Sequence, residues 1–392
     1  MKRILMTATA LCVAVGLAAG TASATSSQHR TLQKDADALV ALGAPGVLVE
    51  LDTPRGDVRV RSGYGDTARK TPVPWDARFR IGSFTKTYVA TTVLLLAGEG
   101  RLSLDDTVER WLPGLVSGNG NDGRKITVRQ LLQHTSGLHN YTRDLDWLSS
   151  REGFERNRFR SYTAEQVVRE AVKTAPDFAP GTNWLYSNTG YALAGMIIEK
   201  ATGRTWQQEV TARVLRPLRL NDTYSPGDSP FIAGPHAQGY QRFPDGGTPE
   251  KPTFGPQIDV TVTKVSWGGA AGDMIGTTDD GNRFLQALLG GKILKPAQLA
   301  EMKKTVPATV YQGWIPGLRY GLGLMWNPTS CGGSWSHGGD IPGFMTRNGV
   351  TDDGSRSVVV TLNTDSPIPA DGTLPTKEIS LGIVEHALCG TK

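Results

Sequence analysis

The chain has 392 residues, a formal net charge of +5 and no dense Lys/Arg cluster, which excludes the basic patch of a nucleic-acid binder. Its 47 glycines and 23 prolines are scattered rather than periodic, which fits a compact chain with many turns and excludes a fibrous repeat.

The first residues, MKRILMTATALCVAVGLAAGTASA, carry Lys2 and Arg3, then an apolar run, then the small-x-small site Ala22-Ser23-Ala24. This layout predicts a secretory signal peptide over 1–24, and the run is short for a membrane span. An uncleaved anchor is the alternative. Loss of Lys2 and Arg3 lowers the charge from +5 to +3 and leaves an exported chain with no membrane segment. Export places Cys331 and Cys389 in an oxidising compartment, where two cysteines pair. Closing a loop of that length is worth about 4 kcal/mol.

Residues 28–43 have helical spacing and stop at Gly43. GVLVELD (46–52) and GDVRVRSGYG (56–65) read as an antiparallel hairpin. FRIGS (79–83) leads as a short strand into SFTKTYVATTVLLLAGEG, a helix from Ser83 that ends at Gly98 and Gly100. Helical segments then dominate: TVRQLLQHTSGL, TAEQVVREAVKTA and TGYALAGMIIEKATG. After a Pro-rich stretch at 244–256 comes the helix TTDDGNRFLQALLGG. YGLGLMW, SWSHGG, GFMTRNGV and RSVVVTLN follow as four consecutive strands, and a helix over 376–388 closes the chain.

Strands at both ends with helices between predict an α/β (α+β) fold: one antiparallel sheet flanked by helices, with a mostly helical region inserted. The expected division is 25–100 plus 255–392 for the sheet region and 101–254 for the insert. The cleft between them is the expected site.

Three stretches carry candidate chemistry. Ser83 and Lys86 lie three apart on one helix face. A lysine desolvated there can take the serine's proton, although a packed helix with a snorkelling lysine gives the same pair. Tyr186 and Asn188, just before a helix, offer a proton shuttle and a substrate hydrogen-bonder; Ser187 or Asn188 could equally cap that helix. If SWSHGG is one strand, His337 faces one side with Trp335 and Gly339, and Ser336 and Gly338 face the other. The paired glycines leave room for a substrate backbone.

Other site types find no support in the text. The remaining histidines lack metalloprotease spacing, no Gly-x-Ser-x-Gly elbow occurs, and no phosphate or dinucleotide glycine pattern appears. No metal or cofactor is expected.

Together, Ser83-Phe84-Thr85-Lys86, Tyr186-Ser187-Asn188 and His337-Gly338-Gly339 resemble the motifs of the penicillin-recognising serine hydrolases. That group spans class C β-lactamases, DD-peptidases and related esterases. The likeness is nearest to secreted D-alanyl-D-alanine carboxypeptidases and D-stereospecific amidohydrolases. FRIGSFTK, GEGRLSLDDTVERWLPGL and ITVRQLLQHTSGL extend it over nearly all of the mature chain.

The resemblance implies an acyl-enzyme on Ser83, proton transfer by Lys86 and Tyr186, and a substrate amide held by Asn188. It implies an oxyanion hole from the N–H groups of Ser83 and Asp340, with His337, Gly338 and Gly339 lining the site. It implies a monomer acting on D-amino-acyl peptides, amides or esters, with β-lactams as acylating inhibitors. A β-lactamase, an esterase and a non-catalytic peptidoglycan-binding relative are the other options.

Two departures bear on substrate. Gly338 and Asp340 stand where carboxypeptidases place hydroxyls. Met325 and Trp326 stand where those enzymes carry an arginine that grips the substrate carboxylate. Asp340 is therefore expected to repel a carboxylate and to attract a free amine.

Overall fold

The computed structural model describes residues 12–248, 251–365, 367–368 and 380–390, of which 12–25 and 251 are described by backbone only. Residues 1–11 of the expected leader lie outside this range. The next residues belong to the helix α1 (Cys12–Ala41). Among the described residues no helix is long and apolar enough to cross a membrane.

Both ends of the chain build one sheet. Its strands are β1 (Gly46–Asp52), β2 (Val58–Gly63), β3 (Val306–Pro307), β4 (Arg319–Tyr320), β5 (Met325–Asn327), β6 (Ser334–Ser336), β7 (Gly339–Ile341), β8 (Phe344–Val350) and β9 (Ser357–Leu362). They run in the order β3-β4-β5-β6-β8-β9-β1-β2, with β7 also paired to β8. The N-terminal hairpin joins the C-terminal strands where Val47 lies opposite Leu362 and Asp52 opposite Ser357, antiparallel.

The strand β1 is buried on both faces. Val47, Val49 and Leu51 meet Leu32, Ala36 and Leu39 of α1 and Ile383, Val384 and Leu388 of the closing helix (Ser380–Cys389). Each such aliphatic side chain removed from water contributes about 1.5–3 kcal/mol. On the other face Glu50 accepts from Thr278 Oγ1 at 2.6 Å, and Asn282 Nδ2 donates to Glu50 O at 2.9 Å. These partners hold a second helix (Thr278–Leu289) against the sheet.

The largest core cluster joins α2 (Thr85–Gly98) to that second helix and to helices of the 101–254 region. Phe84, Tyr88 and Val93 pack with Phe284, and with Leu131, Leu132, Ile197 and Ile198. The Tyr88 and Phe284 rings stack at 3.8 Å. Lys86 sits in the first turn of α2, at the bottom of this core.

Three local expectations change. YGLGLMW is not one strand but two, β4 and β5, folded back at Gly321–Leu324. The tip presses on α2: Gly323 has φ 68°, and a Cβ there would stand 2.6 Å from Ala90 Cβ and 2.9 Å from Lys86 O. The Pro-rich stretch forms short paired strands at Pro244–Thr248 and Lys251–Phe254.

SWSHGG also splits, into β6 and β7. The register is unbroken across the gap, with Trp335 opposite Val350 and Gly339 opposite Thr346. At His337 the partner is a side chain: Asn348 Oδ1 accepts from His337 N at 2.9 Å, and Asn348 Nδ2 donates to His337 O at 2.8 Å. The Asn348 side chain thus takes the place of a backbone partner at His337, and Ser336 and His337 both line the cavity.

Candidate active site

The three motif stretches converge on one open cavity of about 440 Å³. Ser83, Tyr186, Asn188, His337, Gly338, Gly339 and Asp340 line it, and Lys86 lies buried just beneath.

Ser83 stands in a 3₁₀ turn (Gly82–Phe84) rather than in α2 itself. Gly82 makes that turn with φ +55°, and the turn packs edge-on against β7. A Cβ on Gly82 would meet Asp340 N at 2.9 Å. One on Gly339 would stand 2.0 Å from Ile81 O and 2.8 Å from Ser83 N. Two glycines thus bring the Ser83 and Asp340 amides to one rim.

Lys86 is fully buried. Its Nζ lies 2.7 Å from Asn188 Oδ1, 2.7 Å from Ala271 O and 3.0 Å from Ser83 Oγ. No carboxylate is among these partners, and burial pushes its pKa well below the ordinary lysine value. The two carbonyl oxygens can only accept, so hydrogens of the Lys86 amine point to both, and its remaining position faces Ser83 Oγ.

Asn188 Nδ2 reaches Thr142 Oγ1 at 3.3 Å, which fixes the amide's orientation. Asn188 opens the helix Asn188–Thr202. Ser187 precedes it without capping it by a side-chain bond, and Ser187 Oγ instead donates to His139 O at 3.4 Å. Lys86 Nζ lies 4.8 Å from the centre of the Tyr186 ring. Burial raises the Tyr186 hydroxyl well above the ordinary tyrosine range, while a hydrogen bond with Ser83 works the other way.

His337 is buried, with Nδ1 2.7 Å from Gly338 O and Nε2 2.8 Å from Tyr320 Oη. Burial lowers its pKa to about 3. It is a neutral wall of the cavity.

Asp340 is half exposed, yet it does not stand alone. Arg347, reaching in from β8, donates to Asp340 Oδ1 at 2.7 Å. Asp340 therefore has a guanidinium partner, and Arg347 too lines the cavity, from β8 rather than from the strand that holds Met325 and Trp326. Nothing in GFMTRNGV marked Arg347 as a site residue, because its role depends on the β7–β8 register. Three further groups escaped sequence reasoning: His134, Tyr320, and the apolar wall of Tyr311, Trp314, Ile315 and Leu318. HTSGL was visible as a motif but had no partner in the text.

Cys331 and Cys389 form a disulfide with Cα atoms 5.4 Å apart, tying the segment before β6 to the closing helix.

A serine and a buried lysine at the foot of a helix, against an antiparallel sheet, mark a serine hydrolase of the β-lactamase and penicillin-binding type. Residues 32–382 match the Beta-lactamase family model, and the chain belongs to that family. Over 93% of this chain and 99% of the other, it is 39% identical to a D-stereospecific amidohydrolase from Streptomyces sp., with a TM-score of 0.82. A D-amino acid amidase from Ochrobactrum anthropi SV3, complexed with L-phenylalanine amide, superposes with a TM-score of 0.77. It is 30% identical, over 92% of this chain and 97% of that one. Penicillin-binding protein 4* of Bacillus subtilis (strain 168) is 29% identical over 289 residues, which is 72% of this chain but only 60% of that protein's length.

Proposed function

We propose that this chain is an exported serine hydrolase that cleaves D-aminoacyl amides, esters and short peptides through an acyl-enzyme on Ser83. The observation that carries the chemistry is Lys86, wholly buried and bonded to two carbonyls and to Ser83. Ser83 Oγ attacks the substrate carbonyl carbon and its proton passes to the lone pair of Lys86. The oxyanion forms against the amides of Ser83 and Asp340. As the C–N or C–O bond breaks, the proton passes by way of Tyr186 to the leaving group. Tyr186 begins protonated, since burial disfavours its phenolate, so it carries protons rather than serving as the resting base. Water then attacks the acyl group by the reverse proton path. Asn188 holds the substrate's acyl part.

The substrate class is supported by the likeness to the Streptomyces amidohydrolase and the Ochrobactrum amidase. It is supported also by Asp340, whose carboxylate at the cavity edge suits a substrate ammonium. The apolar wall of Tyr311, Trp314 and Ile315 suits an apolar substrate group. The Cys331–Cys389 bridge supports export.

A second reading, carboxypeptidase action on a free D-Ala-D-Ala terminus, is favoured by Arg347 in the cavity wall. Hydrolysis rates for D-phenylalanine amide, its L-enantiomer and a peptide ending in free D-Ala-D-Ala separate the two. The first reading predicts the D-amide fastest. Preference for the free acid would overturn it.

A further inference from the structure

Behind the acylating residues lies a buried polar chain that the proposed chemistry does not use. His134 ends the helix Val128–Gln133 in a left-handed conformation, φ 62° and ψ 32°. This brings its ring beneath that of Tyr186, with centroids 4.2 Å apart. Its Nδ1 accepts from Ser187 N at 3.2 Å, and its Nε2 lies 3.0 Å from Tyr320 Oη. The same hydroxyl lies 2.8 Å from His337 Nε2, and His337 Nδ1 lies 2.7 Å from Gly338 O. His134, Tyr320 and His337 are each at most 1% exposed.

The two ends fix every proton between them. A backbone N–H can only donate, so His134 Nδ1 is bare and its hydrogen is on Nε2. A carbonyl can only accept, so His337 Nδ1 carries the hydrogen and its Nε2 is bare. Tyr320 has one proton. It accepts from His134 and donates to His337, and no group in the chain is left unsatisfied. Tyr191, beside Tyr320, gives its own proton to Leu132 O at 2.8 Å, so it meets the Tyr320 hydroxyl only as an acceptor. Reversing either ring would set two N–H groups on one oxygen or two acceptors face to face, and unmade bonds are costly at such burial. Burial keeps both rings from taking a second proton.

We propose that Tyr320 is a positioning residue for acylation: it locks His134 and His337 in opposite tautomers and so ties the Tyr186–Asn188 loop to the Gly338–Asp340 edge. The two elements carry the proton shuttle and one oxyanion amide. Their separation is therefore set by a hydroxyl that touches neither the substrate nor the serine. The catalytic consequence rests on the proposed acyl transfer at Ser83; the tautomers do not.

The test has two parts. Tyr320→Phe keeps the ring that packs 5.6 Å from Trp184 and removes only the hydroxyl. Loss of positioning on this scale predicts a fall of about 100-fold in kcat on D-phenylalanine p-nitroanilide, with KM little changed and the thermal midpoint still cooperative. A folded Tyr320→Phe protein with unaltered kcat would overturn the proposal. Imidazole ¹⁵N spectra of the unreacted wild-type protein decide the chain without any variant or substrate. Opposite tautomers, Nε2–H on His134 and Nδ1–H on His337, are expected. Like tautomers, or a protonated His337 at neutral pH, would overturn it, even if D-aminoacyl amides prove to be good substrates.

Discussion

Replacing Lys86 by methionine keeps the apolar stem and removes the amine. Ser83 then has no base within reach, since the phenol of Tyr186 holds its proton. General-base assistance contributes about 10²–10⁴-fold, or about 3–5 kcal/mol of barrier, and the acylation rate should fall by that factor. Stopped-flow release of p-nitroaniline from D-phenylalanine p-nitroanilide measures it. The same variant carries a stability signature. The folded-state pKa of Lys86 is depressed below the unfolded value of 10.5, so between the two values the unfolded chain binds the extra proton. Stability of the wild-type protein therefore rises with pH through that window and levels off below the folded pKa. Lys86→Met should lack this slope. Urea denaturation of both proteins between neutral pH and pH about 10 reads the difference. An acylation rate within about tenfold of wild type, or identical pH slopes, would refute the reasoning.

Asp340→Asn should raise KM for D-aminoacyl amides by about 10–100-fold, the worth of one charge-assisted bond, and leave N-acetylated substrates little changed; steady-state kinetics on the paired substrates check it. The same change removes a negative charge from the cavity edge, so hydrolysis of a free-acid D-Ala-D-Ala peptide should improve. Asn348→Ala removes both bonds to the His337 backbone and should cost about 2–4 kcal/mol in urea denaturation. Cys331→Ser should cost about 4 kcal/mol by the same assay under oxidising conditions, with the active-site kinetics retained.

The elements whose sequence pattern matches their final environment were legible. GVLVELD and RSVVVTLN are rich in Val and Leu, and they lie buried side by side in the sheet. SFTK, YSN and HGG could be placed together only through resemblance, because no local rule brings Asn188 to Lys86 across 102 positions. What escaped depends on tertiary register. The break after Ser336 follows from one asparagine opposite His337, and alternation alone cannot foresee a side chain replacing a strand. Arg347 enters the cavity only because Asp340 lies opposite Met345 on the neighbouring strand. His134 needed Tyr320, 186 positions away, before its turn had a purpose.

The central claim is an acyl-enzyme on Ser83 formed from D-aminoacyl substrates. Rapid acid quench during turnover of D-phenylalanine p-nitrophenyl ester, followed by mass spectrometry of the digested protein, reads it directly. The account predicts a phenylalanyl adduct on the peptide containing Ser83 with the D ester, much less with the L ester, and none in Ser83→Ala. Equal labelling by both enantiomers, or turnover of the D ester with no adduct on Ser83, would contradict it.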